Sequence, residues 1–236
     1  SFNRDKPFKQ FIREQIAGDL LGRDKRKPTD DELIATGFLA LGPKPLNQGN
    51  KALFKLDVVD EQIDATTRAF LGLTVSCARC HDHKFDPIPT KDYYAMAGIF
   101  RSTDAHYGTI NGQGNRQPSR LLTIVGSDKN RAQKIRNHEF KLEHENAKLL
   151  LMQEENRELR ALKKKANANQ KARMRRLNRD IKAARANIKN LEEQAPAANF
   201  AMGVKDGRVE DTRVLVRGEI RNQGPIVKRG FLQVLD

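Results

Sequence analysis

Residues 71–103 read LGLTVSCARCHDHKFDPIPTKDYYAMAGIFRST and hold the chain's only two cysteines, Cys77 and Cys80, directly ahead of His81. Cysteines three positions apart fall on one side of a helical turn, so both sulfurs reach toward one bound group. The imidazole that follows projects toward the same place. C-x-x-C-H is the pattern of covalent c-type haem attachment, with the thiols on the two vinyl groups and the histidine on the iron. On this reading the surrounding text must form a small helical domain that presents the turn.

Other chemistries use the same residues. A thioredoxin-like dithiol opens a helix after a strand in a βαβ pattern, and that pattern is missing here. A zinc site would take Cys77, Cys80 and two of His81, His83 and Asp86, because no second C-x-x-C exists. A plain disulfide or two buried thiols would need no cofactor.

Working upstream, Val59, Ile63, Thr66 and Phe70 recur on one side and predict a helix over about 57–71, stopped by Gly72. Downstream, Pro87 and Pro89 push their predecessors out of the α region, so DHKFDPIP is an extended, stiff loop. A further helix starts at Thr90 and runs to about 100, with Tyr93, Met96, Ala97 and Phe100 on one face. At the start of the chain, Phe8, Phe11, Ile12, Ile16 and Leu20 make an apolar stripe between Pro7 and Gly22. Thr29-Asp30-Asp31-Glu32 is a capping box, which predicts a helix over 30–41. Residues 43–55 and 101–128 read as loops.

The text changes character at 129–194. Ile135, Leu142 and Leu149 step by seven, with Met152 and Leu159 as a companion line. Met174, Leu177, Ile181, Ala184, Ile188 and Leu191 alternate steps of three and four. These are heptad seams, and the short polar KKKANANQK between them predicts a reversal into an antiparallel, coiled-coil hairpin. From Lys129 to Ala195 there are 19 lysines and arginines against 9 acids, so this segment carries most of the chain's net charge of +14. Such charge resembles a nucleic-acid footprint. Confined to one helical element it reads as a solvated face, and no specific nucleic acid is expected. From Val209 onward the pattern is β-like, with alternation over Arg213–Ile220 and a turn at Asn222-Gln223-Gly224-Pro225.

The fold expected is mainly α. A small helical, c-type cytochrome-like domain spans 1–128 and the hairpin spans 129–195. A β-rich segment at 196–236 is expected to open a following domain. Aromatics are 6% of the 236 residues and tryptophan is absent, which limits the core. No stretch reaches the ~18 apolar residues of a membrane span. The first residue is Ser1, inside helical text, so the chain is expected to be a piece of a longer protein.

The stretch LGLTVSCARCHDHKFDPIPTKDYYAMAGIFRST closely resembles the planctomycete-specific cytochrome C proteins. The opening NRDKPFKQFIREQIAGDLL and the late DTRVLVRGEIRNQGPIVKRGFLQVL are similar to the same family, and the hairpin is the part that resembles it least. The resemblance implies a helical domain ending in C-x-x-C-H-D-H-K-F-D-P-I-P, followed by a second domain of unknown function. It also implies a larger, exported (periplasmic) bacterial protein that binds haem.

Each residue has an expected role. Cys77 and Cys80 form thioethers, and His81 is the proximal iron ligand. His83 serves as a propionate contact or a partner of Asp86. Met96 is the first choice for the sixth iron ligand, with core packing as its alternative. His106 is the next contender, ahead of His138, His144, Met152 and Met202. Arg79 and Lys84 are candidates to neutralise propionates. The function expected is an electron-transfer module with a redox partner protein. Two alternatives are a haem- or metal-dependent enzyme using His81, His83 and Asp86, and a structural adaptor whose arm is the hairpin.

Overall fold

The computed structural model describes residues 1–22, 26–109, 114–126, 128–162 and 167–235, and among them it forms six α-helices joined by 3₁₀ turns and short strands. They are α1 (Phe8–Ala17), α2 (Asp30–Ala35), α3 (Lys51–Leu71), α4 (Thr90–Arg101), α5 (Lys129–Ala161) and α6 (Ala168–Glu193). Short strands follow in order: β1 (Thr103–His106), β2 (Leu122–Ile124), β3 (Asn199–Ala201), β4 (Gly203–Asp206), β5 (Thr212–Leu215) and β6 (Gln223–Val227). The chain divides into two compact units, Ser1–Ile124 with Phe200–Asp236, and Val125–Asn199.

The capping box forms as read. Thr29 Oγ1 accepts from the Glu32 amide at 3.3 Å, and Glu32 accepts from the Thr29 amide at 2.7 Å. α2 then tightens into a 3₁₀ turn over Thr36–Leu39. α3 starts six residues earlier than the apolar stripe alone predicts. Asn50 Oδ1 caps it by accepting from the Ala52 and Leu53 amides, which draws part of the expected 43–55 loop into the helix. Gly72 ends it in the left-handed region at φ +67°, a conformation that costs an L side chain energy. The N-terminal stripe is weaker than its spacing implies: Phe8 is 69% exposed, and the buried residue of α1 is Glu14.

The core of the first unit gathers Leu56, Val59 and Ile63 from α3 with Tyr93, Tyr94, Met96, Ala97 and Phe100 from α4. Val75, Ala78 and Ile88 enter it from the cysteine motif, and Val204, Leu215, Val227 and Leu232 from the C-terminal segment. Residues 200–236, expected to open a separate domain, thus pack into the first unit. An alternating strand shows that one face is covered but not by which core. β1 pairs antiparallel with β4, Thr103 opposite Asp206 and His106 opposite Gly203. β5 pairs with β6 as a hairpin, Thr212 opposite Val227. The expected 101–128 loop therefore supplies strands, and its Leu122 and Ile124 are buried.

In the second unit, α5 and α6 form the antiparallel hairpin. Glu155 meets Arg173, Asn156 meets Asn178, and His138 meets the Leu191 carbonyl. Leu177, Ile181 and Ile188 are buried along it, as is Ile135. Of the expected reversal, 163–166 lie outside the described residues, and Asn167 opens α6 with a capping box to Gln170.

Candidate functional site

Val75–Arg79 form a 3₁₀ turn, in which residues three apart eclipse. Val75 and Ala78, three apart, are fully buried, while Cys77 and Cys80, also three apart, are exposed free thiols. One short turn thus anchors itself with two apolar residues and offers two sulfurs on its outer side.

Arg79 fixes the turn laterally. Its guanidinium donates to Asp57 at 3.1 Å and to Asp60 at 3.0 Å, both on α3. Asp60 also accepts the Tyr93 hydroxyl at 2.7 Å, and burial with this carboxylate beside it pushes the Tyr93 phenol upward. Tyr94 donates to the carbonyls of Arg79 (3.0 Å) and Leu215 (3.2 Å); burial raises its pKa to about 12, so it remains a donor. Tyr94 therefore ties the cysteine turn to β5. Arg79, a candidate propionate contact, is spent on α3. Lys84 lies over the exposed Phe85 ring at 5.0 Å.

His81 is exposed, and its Nδ1 lies 2.7 Å from the Asp82 carbonyl. A carbonyl only accepts, so Nδ1 carries the proton and Nε2 of the neutral ring is left as a lone-pair donor. This is the tautomer of a metal-binding imidazole whose second nitrogen is held by a carbonyl. His83 is committed elsewhere. Its side chain is 4% exposed, Nδ1 accepts the Asp86 amide at 2.9 Å, and Nε2 lies 2.9 Å from Thr74 Oγ1. The His83 amide donates to the Ile88 carbonyl, and Asp82 accepts the Thr90 amide at 2.8 Å, a bond that holds the Asp82 carboxyl below its usual range. The D-H-K-F-D-P-I-P text thus builds a fastened loop that delivers His81.

Among the described residues, no group of three or more His, Cys, Asp and Glu side chains is placed to hold a metal ion. The zinc reading needs two of His81, His83 and Asp86 beside the cysteines and the non-haem reading needs all three, and the loop's own hydrogen bonds occupy His83. The donor set that remains, two unpaired thiols and one imidazole, fits c-type haem, whose porphyrin brings four ligands of its own. Met96 is 2% exposed and stands in the core with Tyr93 and Phe100, the packing alternative named for it. His106 is in strand β1, not in a free loop; its Nδ1 is buried without a partner, and burial holds its pKa down.

Residues 1–105 match a family model, PSCyt2, described as a protein of unknown function (DUF1549). The match takes in α1–α4 and the cysteine turn and stops short of 200–236. No curated protein and no solved structure matches the chain. The site nonetheless draws on the unmatched segment. At Gly218, φ +72°, a Cβ would come 2.8 Å from Cys80 Sγ. Sequence reasoning missed Gly218, Thr74, Asp57 and Asp60. The aspartates are three apart on α3, and that spacing beside an arginine in the cysteine motif is the one signal available.

Proposed function

We propose that the chain is a c-type haem-binding, electron-transfer module of a larger exported bacterial protein. What carries this reading is the junction of two exposed, unpaired thiols on one turn with an imidazole whose Nδ1 is tied to the Asp82 carbonyl. The haem would supply one-electron redox chemistry. The chain's residues do the rest. The Cys77 and Cys80 thiols would hold the haem, each S–H adding across a vinyl group so that a C–S bond forms and the hydrogen goes to the neighbouring carbon, with no leaving group. His81 would hold the iron through Nε2, the nitrogen left free by the bond from Nδ1 to the Asp82 carbonyl. Arg79, Asp57, Asp60 and Tyr94 hold the turn still, which lowers the reorganisation needed around the site.

The test is expression of the full chain in a host with c-haem maturation machinery, followed by acid–acetone extraction and a pyridine haemochrome spectrum. One haem per chain that resists extraction is the expected result. Colourless protein with stoichiometric zinc, or with Cys77 and Cys80 joined as a stable disulfide, would overturn it.

A further inference from the structure

The hairpin holds a feature that the haem reading does not use. The line Ile135, Leu142, Leu149 continues at position 156 with asparagine in place of an apolar residue. Asn156 is 7% exposed; it donates from Nδ2 to Asn178 Oδ1 at 2.9 Å, and its own Oδ1 is buried without a partner. Arg160 donates to the same Asn178 oxygen at 3.1 Å, so the orientation of both amides is set by donors.

Where the seam turns polar, the helices leave a concavity of about 530 Å³. Asn156, Arg157 and Arg160 of α5 line it, as do Asn178, Lys182 and Arg185 of α6. Each helix contributes two cations three positions apart, and no carboxylate lines the space. Elsewhere on the hairpin some cations meet carboxylates: Arg173 grips Glu155 through two 2.7 Å bonds, Lys148 meets Glu145 at 2.9 Å, and Lys189 lies 3.8 Å from Glu193. Among the described residues Arg157, Lys182 and Arg185 pair with no carboxylate. Four like charges around one concavity repel one another unless an anion joins them.

We propose that this concavity binds a polyvalent phosphoryl anion. Guanidinium forks match tetrahedral oxyanions, and a phosphoryl group concentrates charge that a single carboxylate does not. A phosphoryl group protonated on one oxygen also carries an O–H for the unmet Asn156 acceptor. The group is either free, as in pyrophosphate, or borne on a lipid headgroup.

The experiment titrates the full chain with sodium pyrophosphate by calorimetry at fixed ionic strength, with citrate as the carboxylate comparison and ³¹P shifts as a second readout. Saturable binding is expected, at least tenfold tighter than citrate. Arg157→Gln and Lys182→Gln should each weaken it about tenfold, with helicity unchanged by circular dichroism. Lys171→Gln removes an exposed charge of the same hairpin outside the concavity and should change affinity less than twofold. Co-sedimentation with phosphatidylglycerol vesicles that pyrophosphate displaces would assign the headgroup as the source. Pyrophosphate binding without co-sedimentation would assign the free anion. Absence of saturable pyrophosphate binding, citrate binding of equal strength, or an equal loss in Lys171→Gln would overturn the proposal.

Discussion

Arg79 Nη1 lies 3.0 Å from Asp60 Oδ2, so the residue between the two cysteines is bolted to the middle of α3. Its side chain is 19% exposed, and Asp57 takes the other terminal nitrogen. Arg79→Ala would leave two half-buried carboxylates facing each other. Breaking a buried pair costs more than its net worth, because the surviving charges lose their partner. Arg79→Ala should lower stability by about 2–3 kcal/mol in urea unfolding, somewhat below the cost at fully buried sites. The yield of attached haem should fall with it. Arg79→Lys should recover only part of both, since an ammonium does not span two carboxylates as a fork does.

The two histidines of the motif should separate cleanly. His83→Ala removes the acceptor for the Asp86 amide and the partner of Thr74 Oγ1, leaving half-buried groups unmet. Its cost should be about 2 kcal/mol. His81 is exposed, so His81→Ala should stay within about 0.5 kcal/mol. The spectra should behave the other way round: His81→Ala loses the axial imidazole, while any holoprotein recovered from His83→Ala keeps it. Equal spectral damage from both variants would show that His83 also reaches the iron.

What the sequence disclosed follows from how local each signal is. The Thr29–Glu32 box, the Gly72 stop, the helix from Thr90 and the two helices of the antiparallel hairpin rest on spacings within one or two turns, and they appear as read. The start of α3 was hidden because Asn50 sits among Gly, Pro and Asn residues that look like loop text. The pairing of β4 and the packing of the β5–β6 hairpin into the first unit were hidden because they are set by contacts about 100 residues away, such as β1 with β4 and Thr212 with Tyr94. The thiols and His81 could be named from their order alone. The Arg79–Asp57–Asp60 clamp and the approach of Gly218 to Cys80 join positions far apart in sequence, which no periodicity reports.

Glu32 gives the clearest pH response. Its side chain is 8% exposed; the bond from Arg26, with help from the Thr29 backbone, lowers its pKa to about 2. A depressed carboxylate stabilises the fold above its unfolded value near ~4.3, and that contribution fades as pH falls toward about 2. Arg26 is half exposed, so solvent screening trims the benefit to about 1–2 kcal/mol. Wild type and Glu32→Gln should differ most between pH 5 and pH 7, roughly the plateau region for carboxylates, and converge in strong acid. A gap that widens on acidification would contradict the assignment.

Gly218 should govern access to one sulfur. Alanine there would strain a left-handed backbone and bring its methyl against Cys80 Sγ. Under a limiting alkylating reagent, Gly218→Ala should slow modification of Cys80 and leave Cys77 unchanged, as read by peptide mass spectrometry. Haem attachment should then stall at a single thioether. Equal rates at both cysteines would show that the segment around Gly218 moves aside freely.

Met96 tests whether packing or ligation explains a buried thioether. It is 2% exposed, among Tyr93, Phe100 and the other apolar residues of α4 and its neighbours. Met96→Ala should open a cavity and cost about 2–4 kcal/mol, whereas Met96→Leu keeps the volume and should cost less than about 1.5 kcal/mol. Stability alone does not decide, because a ligand placed in the core would also be missed when truncated. Leucine is the deciding variant: it fills the space but has no sulfur. If Met96 only packs, Met96→Leu holoprotein keeps the parent's spectrum and reduction potential. A potential that drops in Met96→Leu while stability holds would put the thioether on the iron, since a methionine ligand raises the potential.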